Sequence, residues 1–188
     1  MIADPSPSLS AGLKPYPAMK DSGVEWLGEV PAHWDMLPGR ACYYEKQESN
    51  IGMVEKTVLS LSYGRIIIKP MEKLRGLVPE SFETYQVIDP GDIVCRPTDL
   101  QNDHTSLRFG ISSHRGIITS AYMCFGTQDH LETRYGHLLF HSYDVKKIFY
   151  GLGSGLRQNL SWEDFKYLPC VIPPLPEQAA VVEYLDKV

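Results

Sequence analysis

Few side chains in this 188-residue chain are spaced for bond-making chemistry. Phe149-Tyr150-Gly151-Leu152-Gly153 matches the F-x-G-x-G string of methyltransferases that bind S-adenosylmethionine. Such a loop should leave a buried strand and open into a helix, whereas the stretch before Phe149 reads as helix. No Asn-Pro-Pro-aromatic or Asp-Pro-Pro-aromatic string accompanies it to hold a target amine, and the only Pro-Pro, Pro173-Pro174, follows Ile172. The Gly-Lys-Ser/Thr ending of a P-loop is missing as well. His137 and His141 lie four apart on a predicted helix and could share a metal. The intervening Leu138-Leu139-Phe140 lacks the glutamate of H-E-x-x-H, so the pair reads as surface or packed histidines. Glu163 and Asp164 fit the first turn of a helix, where carboxylates favour the macrodipole, better than a nuclease metal site. There is no G-x-S-x-G for a serine nucleophile. The expectation is a chain with no catalytic residues, no metal ligands and no cofactor of its own.

Three other segments carry a different chemistry. Reading a DNA sequence requires paired donors and acceptors at base edges, supplied by Arg to guanine and by Asn or Gln to adenine. Gripping the backbone requires Lys, Arg, hydroxyls and N–H groups on loops. The first segment offers Tyr63, Arg65 and Lys69; the second Arg96, Thr98, Gln101, Asn102, His104 and Arg108; the third is Gly153-Ser154-Gly155-Leu156-Arg157-Gln158-Asn159. In the third, glycines permit close backbone approach while Arg157, Gln158 and Asn159 bring base-reading groups. Arg115 and Ser120 are weaker additions.

The elements that must hold these groups are mostly short strands. Residues 58–64, 65–69, 85–88 and 92–96 combine β-branched runs with turn signals at Gly64, Pro70 and Asp89-Pro90-Gly91. Residues 108–112, 116–119 and 121–125 read as three more strands. Helical spacing appears at 131–142 and 145–150, and Ser161 with Asp164 forms a capping-box signal. Residues 167–172 are a strand candidate. Pro173-Pro174-Leu175-Pro176 reads as a stiff break, after which 177–188 begins a helix with Ala180, Val181, Tyr184, Leu185 and Val188 on one apolar side. Nearer the start, Val24 to Gly28 reads as one helical turn stopped by glycine, and Trp26 and Trp34 as anchors for the terminus. The predicted class is α+β: a twisted, partly barrel-like antiparallel sheet with short helices, followed by the start of a long C-terminal helix. The expected organisation is a mobile segment over 1–15, a DNA-binding domain over 16–172, and a proline hinge with the start of a helix over 173–188. A lone helix as short as the last is marginal in water, so a continuation beyond Val188 is expected.

Charge alone argues against a strongly basic nucleic-acid binder. The net charge is -5, from 18 Lys+Arg and 23 Asp+Glu. The distribution is uneven: residues 61–160 hold 11 basic against 10 acidic, leaving 7 against 13 elsewhere. Phosphate contacts act within a Debye length, so the local balance counts most; an isolated domain of this kind should still bind DNA weakly and depend on partners. Cys42, Cys95, Cys124 and Cys170 are far apart among apolar neighbours and form no C-x-x-C. They read as core thiols, and with no secretory signal they fit the cytoplasm.

The string Tyr16-Pro17-Ala18-Met19-Lys20-Asp21-Ser22-Gly23-Val24-Glu25-Trp26-Leu27-Gly28-Glu29-Val30-Pro31-Ala32-His33-Trp34 closely resembles the opening of type I restriction-modification specificity subunits. Val87-Ile88-Asp89-Pro90-Gly91-Asp92-Ile93-Val94 and Gly116-Ile117-Ile118-Thr119-Ser120-Ala121-Tyr122 look like that family's recognition domain. Gly155-Leu156-Arg157-Gln158-Asn159-Leu160, Ile172-Pro173-Pro174-Leu175-Pro176-Glu177-Gln178 and Glu183-Tyr184-Leu185-Asp186 are similar to its hinge into a conserved helix. The resemblance implies a non-catalytic half of a specificity subunit that reads one half of a split double-stranded DNA site. It implies modification subunits that methylate adenine with S-adenosylmethionine, and a restriction subunit that uses ATP and Mg for its motor and nuclease. A full subunit carries two such domains separated by long helices, so a chain ending at Val188 departs from the pattern. Two alternatives remain at the level of residues: a protein-interaction half-subunit that recruits the modification subunit through the apolar side of 177–188, and a stand-alone methyltransferase.

Overall fold

The computed structural model describes residues 14–70, 81–152 and 158–187. The mobile segment expected over 1–15 therefore lies almost wholly outside the described residues, as do Arg157 and Val188. The chain divides into two compact units, Met1–Trp34 and Asp35–Val188.

In the first unit β1 (Met19–Asp21) and β2 (Glu29–Pro31) form an antiparallel hairpin with Lys20 opposite Val30. The N–H groups of Leu27 and Gly28 both donate to the Val24 carbonyl, closing the expected helical turn. Gly28 then takes φ +64, a left-handed conformation that glycine enters without a Cβ penalty. Tyr16 packs against His33 and edge-on against Trp34, with centroids 5.7 and 5.5 Å away.

The second unit is built on a four-stranded antiparallel sheet ordered β4-β11-β8-β9, from β4 (Tyr43–Lys46), β8 (Ile93–Cys95), β9 (Phe109–Ile111) and β11 (Met123–Thr127). Three further antiparallel pairs surround it among the described residues. β3 (Asp35–Pro38) pairs with β12 (Pro169–Ile172), β5 (Leu59–Ser62) with β6 (Arg65–Ile68), and β7 (Gln86–Ile88) with β10 (Gly116–Ile118). A single parallel bridge, Val58 to Ile117, links the β5 side to the β7–β10 pair. The class is α+β with antiparallel sheets as expected. The described strands do not close into a barrel: the sheet stays open between β4 and β9 and its neighbours pair only two at a time.

The short helices are α1 (Gly39–Cys42) and α3 (Trp162–Lys166), and the longer ones α2 (Thr133–Val145) and α4 (Leu175–Leu185). The capping box at Ser161 and Asp164 is present. Two helix boundaries differ from the sequence reading. Lys147 adopts φ +61, which ends α2 and leaves 148–151 as a separate 3-10 turn rather than a continuation. α4 starts at Leu175, inside the supposed proline break, because a proline in the first turn lacks an N–H that would have no partner there.

Buried apolar clusters hold the second unit, among them a third small one of Val58, Val87 and Ile117. Five of the six phenylalanines, Phe109, Phe125, Phe140, Phe149 and Phe165, are buried together, with neighbouring centroids 4.9 to 6.2 Å apart, and Tyr43 stacks on Phe140 at 4.1 Å. Burying rings of this size dominates the apolar contribution, at about 25 cal/mol per Å² removed from water. Leu59, Ile66, Ile88, Val94, Ile118 and Cys124 form the second cluster, which seats the β5–β6 hairpin on the sheet. All four cysteines are free and buried. No described helix is long and apolar enough to cross a membrane.

Candidate nucleic-acid interface

The first candidate segment is the β5–β6 hairpin. Its two-residue turn is Tyr63-Gly64, with φ +48 and +74, the left-handed pair that matches the twist of a tight hairpin. Gly64 is required for space as well as for φ, since a Cβ there would lie 3.1 Å from the Leu107 side chain. The turn thrusts Tyr63 outward, 92% exposed, with Arg65 exposed beside it. Lys69 is also exposed but sits at the foot of the hairpin, where its N–H donates to the Val58 carbonyl.

The second segment, 96–108, is organised from within by an arginine. Arg108 is fully buried. Its Nη1 donates to the carbonyls of Arg96 (3.1 Å) and Thr98 (2.8 Å) and its Nη2 to those of Asp99 (3.4 Å) and Asp103 (2.7 Å). Nε donates to the Tyr150 hydroxyl at 3.2 Å, and that hydroxyl donates in turn to the Asp103 carbonyl at 2.9 Å. A planar guanidinium with five donors suits such a cage of carbonyls. Asp103 completes the loop: its carboxylate accepts from the N–H groups of Thr105 and Ser106 and pairs with Arg96. The Ser106 N–H and hydroxyl, then the Thr105 N–H and the Arg96 charge, hold the Asp103 carboxyl well below the usual range against an opposing effect of burial.

On the outside of this frame Gln101, Asn102, His104 and Thr105 are exposed. His104 stacks on Tyr150 with centroids 5.0 Å apart, and its Nε2 donates to the Gln101 carbonyl at 2.8 Å. Asn102 Nδ2 donates to Asp99 Oδ1 at 2.7 Å.

The structure brings the segments together. Leu61, Ser62 and Tyr63 of the hairpin and Arg96, Thr105 and Ser106 of the loop line one hollow of about 560 Å³. On the other side of the loop, Asn159 Oδ1 accepts from the Asp99 N–H at 3.0 Å and the Leu160 N–H donates to the Pro97 carbonyl at 2.8 Å. Tyr63, Arg65, Arg96, Gln101, Asn102, His104, Gln158 and Asn159 thus belong to one neighbourhood, while Arg157 lies outside the described residues. Four expected residues do not join it, the first being Lys69, which lines a separate hollow with Ser60 and Tyr85. Arg108 faces inward and shapes the loop, with no exposed atom to offer a base. Arg115 pairs with Asp89 and, at 3.7 Å, with Glu55. Ser120 lines another groove, of about 710 Å³, with Glu45, Glu48 and Glu163, which Pro97 at the foot of the loop also borders.

The motifs weighed for catalysis are placed too. Phe149 of the F-x-G-x-G string is a core residue on the 3-10 turn after α2, not a strand end. His137 is buried and accepts at Nδ1 from Arg134 Nη1, 3.0 Å away, which puts its own proton on Nε2. Burial, with Arg134 and His141 nearby, pushes its pKa down to about 4, partly offset by the Phe109 backbone. Among the described residues no three His, Cys, Asp or Glu side chains converge as metal ligands.

Sequence reasoning missed Asp103, Asp144 and Tyr150 as organisers of the loop; Asp144 Oδ2 accepts the Arg108 N–H at 2.7 Å. The Asp103-His104-Thr105-Ser106 string carried a turn signal that could have shown the first. It missed Arg134 also, although the spacing of Arg134, His137 and His141 puts all three on one helix face.

The hairpin, loop and sheet together define an α+β fold that is also found in solved structures. Three solved structures share it. The HsdS subunit from Thermoanaerobacter tengcongensis superposes with a TM-score of 0.56 at 15% identity, over 95% of this chain and 40% of its own. A chain from a structure describing complex assembly and conformational transition of the type I R-M system gives 0.54 at 16%, over 84% and 38%. The type I restriction-modification S subunit from M. genitalium gives 0.52 at 12%, over 82% and 38%. This chain therefore spans about 40% of the length of the chains it resembles. No family model and no curated protein matches the sequence.

Proposed function

We propose that this chain reads one half of a bipartite DNA target for a type I restriction-modification complex. In this reading it is a non-catalytic specificity module. Partner modification subunits methylate adenine with S-adenosylmethionine, and a restriction subunit cleaves using ATP and Mg. The observation that carries it is that the Tyr63-Gly64 turn and Asn159 both pack against the 96–108 loop, in a fold shared with specificity subunits. Base discrimination needs side chains held in fixed register, and the carbonyl cage around Arg108 supplies that rigidity from inside the loop. Gln101, Asn102, His104 and Gln158 are the base readers in this assignment, with Tyr63, Arg65 and Arg96 beside them. α4 serves as the docking element for the modification subunit, through Ala180 and Leu185, which are exposed, and Val181 and Tyr184, which are half-buried.

The test is methylome sequencing of cells carrying the assembled complex with residues 97–106 exchanged for those of an unrelated specificity subunit. A change in one half of the methylated site supports the reading. An unchanged site from an active complex refutes it.

A further inference from the structure

Across the hairpin from the loop lies a second groove of about 550 Å³, between the Tyr63-Gly64 turn and α2. Arg65, Arg134, His137 and His141 line it, with Ser113 and the Tyr63 ring, and none of the lining residues is an Asp or Glu. Its fixed positive charges are Arg65 and Arg134, in a chain with 23 acidic and 18 basic side chains. Arg65 is exposed and has no carboxylate partner among the described residues. Arg134 is held in place at both ends of its fork, by His137 Nδ1 and by Asp186 at 2.8 Å, and retains further N–H donors. Tyr63 and Leu107 line both this groove and the hollow beside the loop, so the two form one continuous surface.

We propose that this groove grips a phosphate of the DNA backbone, with Arg65, Arg134 and His141 as donors, and so sets the register of the duplex over the 96–106 loop. The proposal rests on the reading of the neighbouring surface as DNA-facing. It differs from that reading in being independent of sequence: phosphate contacts position the duplex and base contacts specify it.

That difference makes it testable with the purified chain and a mixed-sequence duplex of no chosen target. Binding is followed by fluorescence anisotropy across a salt series for Arg65→Gln, Arg134→Gln, His141→Gln and a control, Lys166→Gln, whose side chain pairs with Glu163 on α3 away from the groove. Removing one bound phosphate from the interface lowers the slope of log K against log salt by about 0.9. Arg65→Gln and Arg134→Gln are each expected to weaken binding several-fold at low salt and to reduce the slope, with the control unchanged. Arg65→Gln decides the matter if Arg134→Gln loosens α2, since Arg65 is exposed on the hairpin. Wild-type slopes in all three groove variants would overturn the proposal, as would a wild-type chain that binds no duplex at low salt. A parallel titration with inorganic phosphate separates the sources: saturation by phosphate that leaves duplex binding untouched marks a free-anion site and also overturns it. If the loop exchange changes the methylated sequence while the groove variants keep their slope, the proposed function stands and this inference alone fails.

Discussion

Replacing Arg108 with methionine should cost more than any surface arginine in this protein. The side chain is fully buried and donates to four backbone carbonyls and one hydroxyl. Hydrogen bonds from a charged donor contribute about 1.5–3 kcal/mol each. Only the contacts to Thr98 at 2.8 Å and Asp103 at 2.7 Å are short, so the sum is set mainly by two bonds rather than five. Methionine fills the channel without offering a donor, and the exposed part of the loop recovers some hydration. The net loss should be about 3–5 kcal/mol, the range for breaking a buried charged arrangement from one side. A chain of this size loses about 2–4 °C per kcal/mol, so the midpoint should fall by roughly 10 °C. Arg108→Lys should fall between, because an ammonium keeps the charge but cannot reach four carbonyls in one plane. Thermal unfolding by circular dichroism gives the midpoint, and hydrogen exchange reports the loop directly through the Thr105 and Ser106 amides that Asp103 holds. A midpoint within about 2 °C of wild type, with unaltered exchange at those amides, would refute the cage as the source of loop rigidity.

Two further outcomes follow from buried groups on α2 and α4. His137 has its pKa pushed down to about 4 in the fold against 6.5 without it, so the unfolded chain takes the proton first and stability falls as pH drops through that window, by up to roughly 1.4 kcal/mol per pH unit. Urea unfolding from pH 7 to pH 4 should show that decline, and His137→Gln should flatten it; an equal slope in the variant contradicts the assignment. Gln178 is fully buried, its Nε2 donating to the His130 and Pro173 carbonyls and its Oε1 accepting from the Glu132 N–H that begins α2. Gln178→Met should cost about 2–3 kcal/mol in urea unfolding, since three backbone groups are left without a partner with little change of shape; a cost below about 0.5 kcal/mol would show that α4 is not pinned there.

Local pattern made much of this fold legible. The β-branched run Arg65-Ile66-Ile67-Ile68 with Gly64 before it marks a hairpin arm, and Asp89-Pro90-Gly91 marks the turn into β8. Ser161 and Asp164 announce the start of α3. What local pattern does not carry is long-range pairing. β3 pairs with β12, and β4 with β11, from opposite parts of the chain. Residues 35–46 have no alternation of their own that would reveal those partners. The site divides in the same way. Polar loop composition pointed to side chains that the structure leaves exposed, Gln101, Asn102 and His104. Arg108 was read as a surface group because composition cannot say which face of a strand end is inside. It lies one residue before Phe109, at the start of β9, where the loop folds back over the strand and traps the guanidinium.

Several of the carboxylates behind the net charge of -5 are engaged by neighbouring groups or lie off the hairpin. Asp89 and Asp92 are occupied by Lys46 and Asp89 also by Arg115, and Glu45, Glu48 and Glu163 share a groove that the hairpin does not line. The two carboxylates inside the 96–108 loop are engaged internally, Asp103 with two backbone amides and Arg96, and Asp99 with Asn102. Beyond a Debye length of about 8 Å, what remains is screened. In the proposed role few phosphate contacts are available to one chain, so a small and strongly salt-dependent affinity for DNA is expected. Discrimination between sequences does not require large affinity, because it is a difference between two binding energies. It requires that the wrong base find no compensating rearrangement, and a loop fixed by a buried arginine has little freedom to rearrange.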